Sequence, residues 1–250
     1  MKARFLYRAW KARLRGERGE LRAVLGRLAP GDRAVDVGAN KGAYLYWMRR
    51  AVGSGGSVYA FEPQPGLARY LEAARKRMRW ENVVVREVAL SDSAGRRVLH
   101  VPGWENSPGA SLEAHEVAAS DAGSTAREVE TDTLDHQLEG AGRIALIKVD
   151  VEGHELAVFR GATRILSTSR PALLFECETR HLGGRSPYEV FAFLKGLGYR
   201  GAFFSPRGIR PIEEFDPAVH QRRGPGRFWE ATGYCNNFLF MASSRAAPPP

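Results

Sequence analysis

Four ionisable side chains crowd the end of one apolar run, in the stretch "IALIKVDVEGHEL" (144–156). They are Lys148, Asp150, Glu152 and Glu155. Charges at the end of a buried strand cost free energy unless they have partners or a chemical task. Asp150 follows the apolar run directly, so we expect it to face a cleft and to take part in catalysis. Glu155 and its neighbour His154 are assigned instead to the first turn of the next helix, where acidic residues favour the helix dipole.

A second candidate site is the turn after the first apolar run, in "RAVDVGANKGA" (33–43). A dinucleotide-binding turn would read G-x-G-x-x-G, so that backbone amides can approach a pyrophosphate. Here Asn40 and Ala43 replace the second and third glycines, which weakens that interpretation. An adenosine ligand without phosphates, such as S-adenosylmethionine, tolerates a side chain there. A turn that merely joins a strand to a helix is the alternative.

Within this turn, each residue has an expected role toward S-adenosylmethionine. Asp36 ends the strand and is expected to accept from the ammonium group, directly or through water. Amides near Gly38 would face the carboxylate, and small residues such as Gly42 would let the thioether chain lie along the turn.

The next two apolar runs supply residues for the nucleoside. Glu62 lies in "AFEPQP", 24 positions after Gly38 (62 − 38), and an acid at about that distance binds a ribose diol. This acid serves NAD and S-adenosylmethionine alike. In "REVALSD" (86–92), Ala89, Leu90 and Ser91 are expected to face the adenine.

The elements that position these residues alternate along the chain. Hydrophobic residues make up 44% of the 250 residues and charged residues 26%, which suits a packed core. Apolar runs predict strands at 33–38, 57–62, 82–90, 143–151, 171–178, 199–205 and 234–242. Helical periodicity predicts helices at 41–52, 65–79, 153–167 and 187–197, with further extended segments at 97–102 and 127–131. This alternation indicates an α/β fold with a doubly wound parallel sheet.

The net charge of +9 is concentrated in the first 28 residues. That segment has nine basic and two acidic residues, a net of +7, which leaves only +2 for the rest. The basic residues are Lys2, Arg4, Arg8, Lys11, Arg13, Arg15, Arg18, Arg22 and Arg27. A nucleic-acid-binding domain would spread positive charge over its functional face. We expect a basic helix docked through Leu21, Val24, Leu25 and Leu28; contact with RNA, anionic lipid or an acidic partner stays open.

Two inserts interrupt the predicted alternation of strands and helices. The inserts are 103–126 and 213–233, and long loops of this kind are often lids or binding loops. No apolar run approaches the roughly 20 residues that span a bilayer, and no secretory signal is present, so we expect a cytoplasmic protein. Cys177 and Cys235 lie in strand-like runs and are expected to be buried, reduced thiols.

These motifs together resemble the FkbM family of S-adenosylmethionine-dependent methyltransferases. The matching pieces are "DVGANKG" (36–42), "FEP" (61–63), "IKVDVEGHE" (147–155), "GA" (161–162), "FE" (175–176) and "NNFLF" (236–240). They follow one another in family order across about residues 33–242, whereas the basic segment and both inserts lie outside the resemblance.

The resemblance implies a class I methyltransferase domain over 31–242, after a basic extension over 1–30 and before a disordered tail over 243–250. Its Rossmann-like sheet would have seven strands, with the last antiparallel and inserted between the fifth and sixth. Asp36, Gly38, Asn40, Gly42 and Glu62 would contact the cofactor, and Asp150 would lie beside the transferable methyl. That topology would also bring Cys235 near Cys177, and Asn236 and Asn237 near Glu176.

The expected reaction is O-methylation of a hydroxyl on a small molecule, a sugar or a glycolipid. Asp150 is the first candidate to orient the hydroxyl or accept its proton, with Glu152 and Glu176 behind it. Lys148 would bias these carboxylates toward the ionised form, or simply pair with a neighbour. A Mg²⁺ ion on the three carboxylates is a further hypothesis.

The acceptor is expected under the two inserts, of which the second carries aromatic and basic side chains. These are His220, Arg222, Arg223, Phe228 and Trp229. Their alternative role is packing on a helix. Three other functions remain open: an RNA ribose 2′-O-methyltransferase, a non-catalytic module that binds S-adenosylmethionine, and, disfavoured by Asn40 and Ala43, a dehydrogenase.

Overall fold

A computed structural model describes residues 2–16, 18–103, 109–113 and 124–243 of the chain. Most of the predicted first insert and all but the first residue of the predicted tail lie outside these ranges. The described chain begins with two helices, α1 (Lys2–Lys11) and α2 (Arg18–Leu25), joined in part by a π-helical turn at Ala12–Gly16.

Strands and helices then alternate as the apolar runs predicted. The strands of the main sheet are β1 (Arg33–Val37), β2 (Ser57–Phe61), β3 (Val83–Arg86), β7 (Leu146–Val149), β8 (Ala172–Glu176), β9 (Tyr199–Ser205), β10 (Gly208–Pro211) and β11 (Asn237–Ala242). A second sheet contains β4 (Ala89–Leu90), β5 (Gly95–Pro102) and β6 (Ser124–Asp132). The helices between them are α3 (Ala43–Val52), α4 (Pro65–Arg77), α5 (Leu134–Gln137), α6 (Glu155–Arg160), α7 (Thr163–Thr168), α8 (Pro187–Gly196) and α9 (Pro217–His220).

The main sheet has the strand order β10-β9-β11-β8-β7-β1-β2-β3. β1, β2, β3, β7 and β8 pair in parallel, and β11 lies between β8 and β9, antiparallel to both. The predicted α/β, Rossmann-like sheet is therefore confirmed, but the predicted number of seven strands is wrong. The described chain adds β10, because a tight turn after Ser205 lets Gly208–Pro211 pair back on β9 as an edge strand.

Two predicted elements are interrupted by close tertiary contacts. The strand predicted at 82–90 divides between the two sheets, since β3 ends at Arg86 and β4 pairs with β6. The helix predicted at 153–167 divides into α6 and α7 at Gly161, where a side chain would collide with the carbonyl oxygen of Ser91. The extended segments predicted at 97–102 and 127–131 are confirmed, since they pair antiparallel as β5 and β6.

The N-terminal helices belong to the core of the domain. Leu21 and Val24 are buried, and Leu25 and Leu28 are partly buried against the same cluster, so the predicted docked apolar stripe is confirmed. On α1, Phe5 is 1% exposed and packs among Tyr46, Tyr70 and Trp80. No helix in the described ranges is long and apolar enough to span a membrane.

Glu155 lies in the first turn of α6, as predicted, but its side chain is buried rather than exposed on the helix surface. Its side chain is 1% exposed at the start of α6, and its Oε1 accepts from the backbone N–H of Gly153 at 2.9 Å. Burial raises the pKa of Glu155 to about 7 from an ordinary value of 4.5. The folded chain therefore holds a proton there over a pH range in which the unfolded chain releases it.

Replacing Phe5 tests the docking of α1. We expect Phe5→Ala to lower the free energy of unfolding by about 3–5 kcal/mol, because it leaves a cavity against α3 and α4. Tyr7→Ala, on the exposed side of the same helix, should change it by less than about 0.5 kcal/mol. Denaturant unfolding measures both, and equal costs would contradict the docked position.

Replacing Glu155 tests its burial through pH. Wild-type stability from this group is greatest below pH 4.5 and is lost as pH rises through about 7, with at most roughly 3 kcal/mol at stake. Glu155→Gln should remove this loss, so its unfolding free energy relative to wild type should increase from pH 5 to pH 8. The exposed Glu139→Gln is the control, and a parallel pH dependence in both variants and wild type would refute the assignment.

Candidate active site

The carboxyl ends of the central parallel strands open into a cleft of about 150 Å³, here called the first cleft. Its walls come from the turn after β1, the ends of β2, β7 and β8, the start of the second sheet, and the segment 109–113. Eight predicted site residues line it together: Gly38, Asn40, Glu62, Ala89, Leu90, Asp150, Glu152 and Glu176. Distant parts of the sequence therefore meet where a doubly wound sheet places its ligands.

Gly38 is required by the approach of the neighbouring strand end. Its φ is +71°, and a side chain there would collide with the carbonyl oxygen of Asp150. The backbone N–H of Asp150 in turn donates to the carbonyl of Val37 at 3.1 Å. The turn and the candidate catalytic residue are therefore held in direct contact.

Glu62 is fixed by two backbone donors at the end of β2. The N–H of Asn40 donates to its Oε2 at 2.7 Å, and the N–H of Gln64 donates to its Oε1 at 3.0 Å. Asn40 reaches this position with a left-handed φ of 46°, which asparagine tolerates better than most residues. Burial raises the pKa of Glu62 to about 7, although both N–H groups oppose the shift.

Three predicted cofactor residues do not line the first cleft. Gly42 contacts α1 instead: a side chain there would lie 2.8 Å from Phe5 and 2.9 Å from Leu71. Ser91 is buried, with its Oγ 2.9 Å from Nε2 of His154, so it reaches the cleft only through that ring. Asp36 is also buried, 1% exposed, and does not line the cleft.

Lys148 links Asp36 to Asp150. Its Nζ lies 3.6 Å from Oδ1 of Asp36 and 3.2 Å from Oδ2 of Asp150, and it also donates to the carbonyl of Gly38 at 3.3 Å. The ammonium lies 5.2 Å from the centre of the Tyr44 ring. Burial raises the pKa of Asp36, and the positive charge of Lys148 opposes that shift. Lys148 is thus a strand-end cation that pairs with both neighbours.

Glu176 and Glu178 form a second polar group at the end of β8. Nδ2 of Asn236 donates to Oε1 of Glu176 at 2.8 Å and to Oε1 of Glu178 at 3.1 Å, which confirms that Asn236 lies beside Glu176. Asn237 is the register partner of Glu176 across β11. The backbone N–H of Cys177 donates to the carbonyl of Asn236, next to Cys235, and both cysteines are buried free thiols as predicted.

The two carboxyl groups of this pair differ in pKa. Burial raises the pKa of Glu176 well above its usual range, and the negative charges of Asp150 and Glu178 add to the effect. Glu178 has the opposite shift, to about 2, because Arg180 and Asn236 stabilise its charged form against burial. The Tyr234 hydroxyl also donates to Glu178 at 2.8 Å. The two pKa values thus shift in opposite directions, and the hydrogen bond between the two side chains contributes to both shifts.

A second cleft opens beside the first and shares two residues with it. Asp150 and Glu176 line both clefts. The other side chains of the second cleft include Tyr44, Lys148, Trp229, Glu230, Asn236 and Asn237. Of the second insert, Trp229 thus reaches a cleft, whereas His220 packs against Phe203 and Phe215. Arg222 and Arg223 are exposed.

His154 is a cleft residue that the sequence prediction placed in a helical turn. It is buried, it lines the first cleft, and its Nδ1 lies 2.7 Å from Oε1 of Glu113. Glu152 is similarly held, with Oε2 2.7 Å from Nε2 of His181. The sequence offers one signal for His154, a polar residue next to the glycine of "VEGHE". It does not reveal the partners of His154, because Glu113 and Ser91 lie 41 and 63 residues away along the chain.

The hypothesis of a Mg²⁺ ion gains no support from the arrangement of the carboxylates. Within the described ranges, no group of three or more His, Cys, Asp or Glu side chains could hold a metal ion.

Known proteins similar to this chain agree with the geometry. The family model for the methyltransferase FkbM domain matches residues 36–200. The hexuronic acid methyltransferase AglP of Haloferax volcanii is 31% identical over 160 residues, which are 64% of this chain and 62% of that protein. The chain thus matches less than two thirds of the length of this relative.

Solved structures share the fold. The methyltransferase FkbM of Methylobacillus flagellatus superposes with a TM-score of 0.53 at 15% identity, covering 94% of this chain and 53% of that one. A protein of Clostridium thermocellum described as a putative rRNA-methylase has a TM-score of 0.51 at 9% identity, covering 91% and 95%. With the match to the family model over most of its length, the chain belongs to the FkbM family of methyltransferases.

Proposed function

We propose that the protein transfers a methyl group from S-adenosylmethionine to a hydroxyl oxygen of a small molecule, a sugar or a glycolipid. The observation that carries this proposal is the meeting of two clefts at Asp150 and Glu176. A group-transfer enzyme needs its two substrates on opposite sides of the reacting atoms. The first cleft would take the cofactor and the second the acceptor.

The residues of the first cleft fit the nucleoside of S-adenosylmethionine. Each oxygen of the Glu62 carboxylate accepts one backbone N–H and keeps a further lone pair for a ribose hydroxyl. Val88, Ala89 and Leu90 supply an apolar wall of the kind that suits an adenine ring. Asn40 lines the cleft where a dinucleotide-binding turn would carry glycine, which supports a ligand without a pyrophosphate.

Bound S-adenosylmethionine would supply a methyl group already activated on its sulfonium. The chain then has to place the acceptor oxygen and remove its proton. Asp150, an ion-paired carboxylate at the junction of the clefts, is the proposed proton acceptor. Glu176, which lines both clefts, would contact the acceptor hydroxyl beside Asp150. Lys148 positions Asp150 and joins it to Asp36, while His181 holds Glu152.

The second cleft has the features of a carbohydrate site. Sugars bind through an aromatic face together with several hydrogen-bonding side chains. Trp229 offers the ring, with the Arg180 guanidinium 4.7 Å from its centre, and Asn236 and Asn237 offer amides. A hexuronic acid is the substrate named for the Haloferax relative, which supports a sugar acceptor here.

Replacing Glu62 tests the cofactor cleft. Glu62→Gln should weaken the binding of S-adenosylmethionine and S-adenosylhomocysteine by about 10- to 100-fold, because a charged hydrogen-bond acceptor for the ribose is lost. Isothermal titration calorimetry measures the affinity, and circular dichroism checks the fold. The exposed Glu139→Gln serves as the control. Unchanged affinity in Glu62→Gln would refute the ribose assignment.

Replacing Asp150 tests the catalytic junction. Asp150→Asn should lower the turnover number by at least about 100-fold, because the proton acceptor is lost. Affinity for S-adenosylmethionine should stay within about twofold, since Glu62 and the apolar wall are untouched. Transfer of tritium-labelled methyl to a panel of hexoses and hexuronic acids gives the rate. Near-normal turnover in the variant would refute the role, and no transfer by wild type to any hydroxyl compound would favour a non-catalytic module.

A further inference from the structure

We propose that the outward face of α1 is a binding surface for an anionic lipid bilayer, independently of the reaction proposed above. Three large apolar side chains are exposed on α1 and on the π-helical turn that continues it at Ala12–Gly16: Tyr7 by 66%, Trp10 by 47% and Leu14 by 61%. Their spacing of i, i+3 and i+7 places them on one side of this continuous helical segment. Phe5 and Ala9 lie on the opposite face and are buried. The segment therefore has a second apolar stripe that the domain core covers only in part, since the Trp10 ring lies 4.8 Å from that of Trp47.

Positive charge surrounds this stripe. Arg4 and Lys11 are exposed on α1 beside the stripe, and within the described part of the chain neither forms an ion pair with a carboxylate. Burial lowers the pKa of Lys41, and the positive charges of Arg8 and Arg4 lower it further, so further cations lie near the base of this helix. The segment up to residue 28 holds +7 of the total charge of +9.

An apolar stripe flanked by cations is the pattern of a helix that lies in the plane of a membrane interface. Tyrosine and tryptophan favour the headgroup level, and lysine and arginine attract anionic headgroups. A nucleic acid would use the cations and could stack on Tyr7 and Trp10, but it has no use for the exposed aliphatic Leu14. The nearly neutral charge of the remaining chain also favours the bilayer over RNA.

Contacts with the rest of the domain hold α1 in a fixed position. Phe5 packs against Gly42, and the indole N–H of Trp47 donates to the carbonyl of Ala9 at 2.8 Å. The helix therefore presents its outward face without an ordering cost on binding.

Vesicle binding by the full chain tests the surface. At low salt, we expect binding to vesicles of phosphatidylcholine with about one third phosphatidylglycerol, and much weaker binding to phosphatidylcholine alone. Tyr7→Ser/Leu14→Ser should weaken binding to the anionic vesicles at least about tenfold, because less apolar surface is inserted. Arg4→Glu/Lys11→Glu should weaken it by a similar factor. Sedimentation measures the bound fraction.

Matched control variants test whether vesicle binding is specific to this face of the protein. Ile209→Ser/Val219→Ser removes equally exposed apolar side chains elsewhere, and Arg160→Glu/Arg207→Glu reverses the same number of charges; both should bind like wild type. Thermal unfolding checks that each variant is folded. Brominated lipids should also quench wild-type tryptophan fluorescence more strongly than that of Trp10→Phe.

Three outcomes would overturn the proposal. The first is equal binding to neutral and anionic vesicles, or no binding to either. The second is vesicle binding that the two α1 variant pairs leave unchanged. The third is single-stranded RNA that binds more tightly than the anionic vesicles at the same salt and loses affinity in the α1 variants, which would assign the face to nucleic acid.

Discussion

The buried ammonium of Lys148 joins the ends of two neighbouring strands, and the geometry of both clefts depends on it. It lies between Asp36 of β1 and Asp150 after β7, and it also reaches the carbonyl of Gly38. A buried ion pair of this kind contributes little net stability, because desolvation offsets the attraction. The role of Lys148 is to hold the two strand ends in position. Without Lys148, the Asp36 carboxylate would be buried beside the like charge of Asp150, and the two strand ends would repel each other.

The carboxyl groups around this junction differ because their surroundings differ. Burial raises the pKa of Glu62 to about 7 despite two backbone donors, and it raises the pKa of Glu176 well above its usual range, whereas Arg180 and Asn236 help to lower that of Glu178. Groups of one chemical type thereby become suited to the separate tasks proposed for them. One site can support several roles with similar groups when their surroundings give them different pKa values.

Structural features that depend on a local sequence pattern could be predicted, whereas features that depend on contacts between distant residues could not. Apolar runs, the glycine turn and the acids after β2 and β7 were visible because strand ends and turns have a local composition. The division of the helix at Gly161 was not visible, because it is imposed by the carbonyl of Ser91. Gly42 was assigned to the cofactor for the same reason, since nothing near it in sequence reveals that Phe5 packs against it.

Gly42 also shows how the N-terminal helix and the clefts constrain each other. Its left-handed φ of 77° starts α3, and the absence of a side chain lets Phe5 enter the core at that point. Because Phe5 packs against Gly42, the contact that fixes α1 lies two residues from Asn40, which lines the first cleft. The proposed surface on α1 and the proposed catalytic junction thus share one short, glycine-dependent connection.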